Sequence, residues 1–139
     1  MTSGPWVVDT NVVVAGLLTK DSAAPTARIL DAMLRGALFY LLSESLLAEY
    51  RVVLLRPKIS AAHGLAVDEV DEVLVRIAAN GALRETGTAT EGPRGDGHLF
   101  ALLEAEPSAR LVSGDAQVLR HAGARGLTPK ALFELILPR

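Results

Sequence analysis

Four acidic residues are the side chains whose positions could support joint chemistry. Asp9 interrupts the apolar run WVVDTNVVVAGLL and Asp115 follows the apolar segment RLVS, so both are expected at the carboxyl ends of buried strands. Asp96 opens a predicted helix after a glycine-rich segment, and Glu49 lies in the helical pattern ESLLAEYRVVLL. If the four carboxylates converge they repel, since two unit charges about 4 Å apart cost roughly 4 kcal/mol at an effective dielectric of about 20.

Such a cluster needs a compensating positive charge. The chain has no cysteine, and its three histidines show no ligand spacing, so the ligands available are oxygen atoms. Oxygen ligands suit Mg²⁺ or Mn²⁺ better than Zn²⁺. A divalent ion held by carboxylates can lower the pKa of a water molecule and neutralise charge on a phosphoryl oxygen. The acids therefore indicate phosphodiester cleavage.

Each acid also has a structural interpretation. Asp96 and Asp115 could serve only as helix N-caps, whereas Asp9 is less easily explained because a neighbouring polar residue could cap its helix. Glu49 has neighbours three and four positions away that form a largely apolar stripe expected to face the core: Ser45, Leu46, Val52 and Val53. A solvated helix acid would more often lie elsewhere, which favours a function for Glu49.

Strand and helix patterns alternate along the chain. The predicted strands are PWVV, ALFYLL, ARLVS and, weakly, LRET. Helices are predicted from Asn11 to Leu18, in APTARILDAMLRG, and in ESLLAEYRVVLL with Ser43 as N-cap. Further helices are predicted in EVDEVLVRIAAN with Asp68 as N-cap, from Asp96 to about Glu106, in DAQVLRHAG and in TPKALFELIL. KISAAHGLA is interpreted as a loop or short helical turn, and GTATEGPRG as a loop.

The alternation predicts an α/β fold, a three-layer α/β/α sandwich with a mainly parallel central sheet. The working site of such a sheet lies outside the carboxyl ends of its strands, where Asp9 and Asp115 are expected. No internal repeat, low-complexity tract or linker divides the chain, so residues 1–139 are expected to form a single domain. The opening apolar run is too short to span a bilayer, and no membrane partner is expected.

Charge and composition narrow the partners and the compartment. With 14 Lys and Arg against 16 Asp and Glu, the net charge is −2, so any contact with the phosphates of a nucleic acid must come from a local cluster. Arg51, Arg56 and Lys58 form one just past Glu49, which could bind an RNA backbone or be a solvated helix end. The lack of cysteine fits a reducing compartment, and the cytoplasm is expected.

Histidine and aromatic residues receive structural interpretations. His98 follows Asp96 closely, but a lone histidine in the first turn of a helix is more often solvated than a metal ligand. His63 and His121 lack ligand spacing. The aromatic residues lie mostly in apolar runs and are expected in the core rather than on a base-stacking platform: Trp6, Phe39, Tyr40, Tyr50, Phe100 and Phe133.

Several segments, in order and over essentially the whole chain, resemble those of PIN-domain proteins: VVDTNVVVAGLL, SESLLAEYRVVLLRPK, PRGDGHLFALL, ARLVSGDAQVLR and LTPKALFELI. The resemblance is closest to the VapC-like toxins of bacterial toxin–antitoxin pairs. It implies a PIN-like fold and a ribonuclease that uses Mg²⁺ or Mn²⁺ to cleave single-stranded RNA, leaving a 5′-phosphate and a 3′-hydroxyl. It also implies a cognate antitoxin and, together with the half-apolar composition, a homodimer.

The resemblance assigns roles to individual residues. It implies that the catalytic and metal-binding acids are Asp9, Glu49, Asp96 and Asp115. Asn11 would support the first acid, and Ser113 would hold the hydroxyl position two residues before the last. Around Asp96 the sequence reads GDGH, with fewer acids than relatives often carry. Whether the site binds one metal ion or two is therefore left open.

Two other functions compete with the nuclease. The DTN after an apolar strand is similar to the opening motif of haloacid-dehalogenase-type phosphatases, but their second Asp, the general acid, is replaced here by Asn11. The other alternative is a PIN-like module that acts only by binding a partner. The presence of all four acids favours catalysis over this last interpretation.

Overall fold

A computed structural model of the chain describes residues 4–86 and 96–136. The loop predicted in GTATEGPRG, residues 87–95, lies outside the described residues. The helices are α1 (Thr10–Leu18), α2 (Pro25–Leu34), α3 (Glu44–Leu54), α4 (Pro57–His63), α5 (Val67–Asn80), α6 (Gly97–Ala105), α7 (Ala116–Ala122) and α8 (Pro129–Ile136). The strands are β1 (Trp6–Val8), β2 (Leu41–Leu42), β3 (Ala82–Leu83), β4 (Arg110–Val112) and β5 (Gly126–Leu127).

The strands pair in parallel throughout the described part of the chain. β1 pairs with β4 and β4 with β5, while β2 pairs with β3. A parallel bridge between Trp6 and Tyr40 joins the two groups, giving the order β3-β2-β1-β4-β5. Helices flank this sheet, so the expected three-layer α/β/α fold with a parallel sheet is confirmed. The carboxyl ends of β1 and β4 are neighbours, which brings the residues after each strand together.

Apolar side chains from the strands and the facing helices form the core. Trp6, Tyr40 and Tyr50 are fully buried there, as expected, and Phe100 is also buried. Phe39 is 53% exposed, so its expected place in the core is wrong. It directly precedes the buried Tyr40, and successive side chains of an extended chain point to opposite sides.

Gly16 allows α1 and α2 to pack closely. A Cβ atom at this position would lie 2.7 Å from the backbone oxygen of Thr26 and 2.9 Å from the Cβ atom of Leu30. Real Cβ atoms do not approach backbone atoms so closely, so a larger residue would push the helices apart. Because α1 begins immediately after Asp9, this contact also sets where the start of α1 lies.

Several expected elements differ from the structure. KISAAHGLA contains a true helix, α4, and the weak strand of LRET lies earlier, as β3. Asp68 is not the N-cap of α5, because that position is Ala66, whose N–H donates to the Glu69 side chain at 2.9 Å. The strand β5 was not predicted, since Gly126 and Leu127 carry no strand pattern. No helix of the described ranges is long and apolar enough to cross a membrane.

Candidate active site

Asp9 stands at the junction between β1 and α1. Its N–H donates to the carbonyl of Val112 at 3.0 Å, which continues the pairing of β1 with β4 by one residue. It occupies the N-cap position of α1, yet its side chain caps no backbone N–H of the helix. The carboxylate is only 5% exposed. Capping therefore does not explain why the chain buries an acid here.

Two side chains hold the Asp9 carboxylate in place. The hydroxyl of Ser113 donates to Asp9 Oδ2 at 2.7 Å, and the amide of Asn11 donates to the same oxygen at 3.2 Å. Ser113 is fully buried, whereas Asn11 is exposed at the start of α1. Asn11, which is expected to support the first acid, therefore contacts it, and so does Ser113, whose expected place is the hydroxyl position before the last acid.

Asp115 reaches the same edge of the sheet through the turn after β4. The N–H of Ser113 donates to the carbonyl of Leu127 in β5 at 3.0 Å, and Ser113 Oγ accepts from the N–H of Asp115 at 2.9 Å. The Asp115 carboxylate caps α7 by accepting from Gln117 N–H at 2.8 Å. The capping interpretation of Asp115 is therefore confirmed, and it leaves the other carboxylate oxygen without a hydrogen-bond partner among the described residues.

Glu49 is brought to the site by α3. Its neighbour Tyr50 is fully buried and donates its hydroxyl to the carbonyl of Val8, the residue before Asp9. This bond anchors α3 against the end of β1. The stripe around Glu49 does not face the core as a whole, because Leu46 is buried but Val52 is exposed. Glu49 itself is half-buried and faces the acids.

Tyr50 is a site-supporting residue that the sequence did not reveal as such. The sequence pattern predicts only that Tyr50 is a core aromatic residue, and its complete burial confirms this. The signal that distinguishes it is its hydroxyl, because a tyrosine buried in an apolar run needs a hydrogen-bond partner that phenylalanine would not. The sequence could indicate that need but not the partner, which lies 42 residues away.

Asp96 reaches the site from the start of α6, and His98 lies in the first turn of that helix. Asp96 is at the N-cap position but makes no side-chain capping bond, so its purely structural interpretation is not supported. His98 was expected to be solvated, and this is wrong. It is half-buried, and its Nε2 atom is enclosed without a hydrogen-bond partner in the described residues. Burial has the larger effect on the pKa of both Asp9 and Asp96 and raises it, while the electrostatic interaction with His98 lowers it.

The acids influence one another. Burial raises the pKa of Asp9 most, and the charge of Asp115 raises it further, while the Ser113 hydrogen bond lowers it. Burial also raises the pKa of Asp96, followed by the charge of Asp9 and, less strongly, those of Asp115 and Glu49. The charges of the other three acids therefore all act on Asp96.

These side chains line one cleft of about 350 Å³. The cleft is bounded by all four acids, and its remaining lining comes mostly from α1 and α3: Thr10, Asn11, Val14, Ala15, Leu18, Val53 and Arg56. Within residues 4–86 and 96–136, no three His, Asp or Glu side chains are arranged closely enough to hold a metal ion. The carboxylates surround the cleft rather than closing on one point.

The predicted basic cluster is divided by the structure. Arg56 lines the cleft, as the N-cap residue of α4. Arg51 faces elsewhere and forms a two-point ion pair with Asp71 of α5, at 2.8 and 3.3 Å. Lys58 is exposed on α4 and does not line the cleft. Only Arg56 is therefore placed beside the acids.

The other two histidines have structural contacts. His63 Nε2 lies 2.8 Å from the Leu54 carbonyl, and its Nδ1 accepts from Leu65 N–H at 2.9 Å. His121 packs edge-to-face on Phe100, with 4.6 Å between ring centroids. Neither lines the cleft.

Residues 5–122 match the family model of the PIN domain. The chain belongs to the PIN-domain family. The matched span includes all four acids of the cleft, as well as Asn11, Ser113 and Arg56. No curated protein matches the chain. PIN domains are typically nucleases and generally bind divalent metals, so the carboxylate-lined cleft of this PIN domain is its candidate active site.

Proposed function

We propose that this chain is a single PIN domain that acts as an endoribonuclease, uses Mg²⁺ or Mn²⁺, and cleaves single-stranded RNA in the cytoplasm. The observation that carries the proposal is the cleft at the carboxyl ends of β1 and β4. Four acids that are far apart in the sequence line it: Asp9, Glu49, Asp96 and Asp115. Side-chain capping accounts for one of them only, Asp115, so it does not explain why the other acids line the cleft.

The donor set fits a hard divalent cation in chemical type. It consists of carboxylate oxygens, the ligands that Mg²⁺ and Mn²⁺ favour. A cation would also relieve the raised pKa values of Asp9 and Asp96, because burial and repulsion both disfavour their charged forms. When bound, the ion would lower the pKa of a water molecule and neutralise charge on the scissile phosphate.

The chain's own residues have separable tasks in this proposal. Ser113 and Asn11 orient Asp9 through hydrogen bonds at 2.7 and 3.2 Å, and the Ser113 bond lowers the pKa of Asp9 against the larger effect of burial. Tyr50 fixes the helix that carries Glu49. Arg56 supplies the positive charge of the cleft and would bind a phosphate of the RNA next to the one that is cut.

The nuclease proposal is tested with single-stranded RNA, the purified chain, and either Mg²⁺ or Mn²⁺. Cleavage should require the metal, leave a 5′-phosphate and a 3′-hydroxyl, and stop on chelation. Cleavage that survives chelation, or that leaves a 2′,3′-cyclic phosphate, would contradict it. No metal binding by calorimetry would instead support a PIN-like module that acts only by binding a partner.

The RNA contact is tested by Arg56→Ala with Arg51→Ala as the matched control. Binding is measured in an Asp9→Asn background, so that the RNA stays intact. Loss of one phosphate contact should weaken binding and reduce the slope of log affinity against log salt concentration by about 0.7. Arg51→Ala should leave both unchanged, because that guanidinium pairs with Asp71 away from the cleft. Equal effects of the two variants would contradict the assignment.

We further propose that the enzyme is the toxin of a toxin–antitoxin pair, with a cognate antitoxin as its protein partner. The acid-lined cleft supports this physically, because a basic side chain of a partner could enter it and replace the charge of the metal. The test is co-expression with the product of the neighbouring reading frame. That protein should co-purify with the chain and inhibit RNA cleavage, and failure to inhibit would leave only the nuclease.

The proposed homodimer would bury an apolar groove between α3 and α5. The groove has a volume of about 450 Å³, and it is lined by Leu47, Ala48, Leu74, Val75 and Ala78. Val75 is 66% exposed. The rim carries Arg51 with the acids Glu44 and Asp71, so a twofold arrangement that sets Arg51 against an acid of the second copy would pair opposite charges. Light scattering should show a dimer that Val75→Asp dissociates. A monomeric wild-type chain at micromolar concentration would reject it.

The phosphatase alternative is weakened by the geometry at position 11. Asn11 occupies the position of the general acid in that mechanism. Its amide donates to Asp9 and accepts from Gly114 N–H. An amide in this position has no proton to transfer at ordinary pH. Hydrolysis of generic phosphatase substrates, with no cleavage of RNA, would restore this alternative.

A further inference from the structure

Asn11 makes contacts on both sides of the candidate active site. Its Nδ2 donates to Asp9 Oδ2 at 3.2 Å and lies 3.4 Å from Ser113 Oγ. Its Oδ1 accepts from the N–H of Gly114 at 3.0 Å. The amide therefore connects the start of α1 with the turn after β4, across 103 positions of sequence.

The orientation of this amide is fixed by its neighbours. Rotating it by half a turn would bring its NH₂ group against the N–H of Gly114 and its carbonyl against the Asp9 carboxylate. Both contacts would be repulsive. A residue in this place needs one acceptor and one donor, facing opposite ways, which asparagine provides.

The turn of residues 113–115 has few other supports. The N–H of Ser113 is held by Leu127 of β5, and the N–H of Asp115 by the turn's own Ser113 hydroxyl. Among the hydrogen bonds of the described residues, the bond from Gly114 to Asn11 is the one that ties the backbone of this turn to α1. Asp115 is exposed, so packing does little to fix its carboxylate, and the bond from Gln117 N–H at 2.8 Å ties that carboxylate to α7 rather than to α1.

We propose that Asn11 is the positioning residue for Asp115, acting through the backbone of Gly114, and that its contact with Asp9 is secondary. The inference rests on the proposed function, because Asp115 needs a fixed position only if it serves the metal. It assigns to Asn11 a different task from support of the first acid alone.

The hydrogen bond is tested first in the metal-free protein, by the amide signal of Gly114 in a nitrogen–proton correlation spectrum. Asn11→Ala should shift this proton upfield and accelerate its exchange with solvent. Asn80→Ala is the matched control, because it removes an amide that donates to the carbonyls of Met33 and Leu34 away from the site, and it should leave the Gly114 signal at its wild-type position. An unchanged signal in Asn11→Ala, or equal shifts in both variants, would overturn the proposal.

The link to Asp115 is tested by Mn²⁺ titration calorimetry without RNA. Loss of an outer-shell partner typically weakens metal binding by about 10- to 100-fold, and Asn11→Ala should do so. In an Asp115→Asn background the same substitution should have little further effect. The opposite result would overturn the proposal: if Asn11→Ala weakens Mn²⁺ binding fully in the Asp115→Asn background and not at all in an Asp9→Asn background, Asn11 acts through Asp9.

Asn80→Ala is the matched control for the calorimetry as well. It removes an asparagine amide that donates to the carbonyls of Met33 and Leu34 and does not line the cleft. Its Mn²⁺ affinity should remain at the wild-type value. A wild-type chain that binds no Mn²⁺ would refute the proposed function, whereas the Gly114 signal would still decide the hydrogen bond.

Discussion

Replacing Asp9 with asparagine should abolish RNA cleavage and stabilise the metal-free protein. The carboxylate is almost completely buried, and its charge raises the pKa of Asp96. Two unit charges about 6 Å apart repel by roughly 3 kcal/mol at an effective dielectric of about 20. Against this, the bonds from Ser113 and Asn11 each weaken by roughly 1 kcal/mol when their acceptor becomes neutral.

The net gain is then about 1 kcal/mol, a rise of roughly 3–5 °C in Tm for a domain of this size. The gain should depend on pH. Burial raises the pKa of Asp9 above its ordinary value of 3.8. At a pH below 3.8, Asp9 therefore makes its full contribution to the stability of the wild-type fold. It loses that stability as the pH rises through the raised value. The two proteins should therefore melt together in acid and separate towards neutral pH.

Melting curves across this pH range, without metal and then with Mg²⁺, provide the measurement. Metal at 100 times its Kd stabilises the folded state by about 2.7 kcal/mol, and only the wild type should gain this. Asp71→Asn is a matched control, since it removes an exposed acid away from the cleft. If Asp9→Asn melts below the wild type at neutral pH, Asp9 is structural. If it cleaves RNA at the wild-type rate, Asp9 is not in the site.

Two further substitutions test the supports of the site. Tyr50→Phe leaves the buried carbonyl of Val8 without its donor. Urea unfolding should show a fold destabilised by about 1–3 kcal/mol, and RNA cleavage should be reduced. An unchanged stability would show that the bond is unimportant. Gly16→Ala should also destabilise, by about 1–3 kcal/mol in the same assay, because its Cβ atom would meet the Thr26 backbone. Helix propensity alone predicts a gain of about 1 kcal/mol for this change, so a more stable variant would refute the close packing.

The sequence predicts the layer order and two of the acid positions from local pattern alone. Apolar runs that end in Asp9 and Asp115 define β1 and β4, and parallel pairing then places both acids at one edge. Helix α3 and its cap Ser43 follow from the same kind of pattern, and Leu46 N–H does donate to Ser43 Oγ. Each of these elements is recognised from the residue pattern within its own segment.

The features that the sequence does not reveal depend on distant partners. Arg51 and Arg56 look equivalent in the sequence. In the structure Arg51 pairs with Asp71 away from the cleft, whereas Arg56 lines the cleft. His98 was expected in solvent because nothing local shows that α6 packs its first turn beside Asp9. The strand β5 has two residues, and its pairing with β4 rather than its composition makes it a strand.

The pairing of β5 bears on how far the working unit extends. The family match ends at residue 122, and a chain cut there would keep all four acids. It would lose Leu127, whose carbonyl accepts from the N–H of Ser113, and α8, which packs on α2. The buried Ser113 backbone would then have no acceptor, and the residue that orients Asp9 would no longer be held by the sheet. The smallest fragment able to fold around an intact acid cleft is thus longer than the stretch by which the family is recognised.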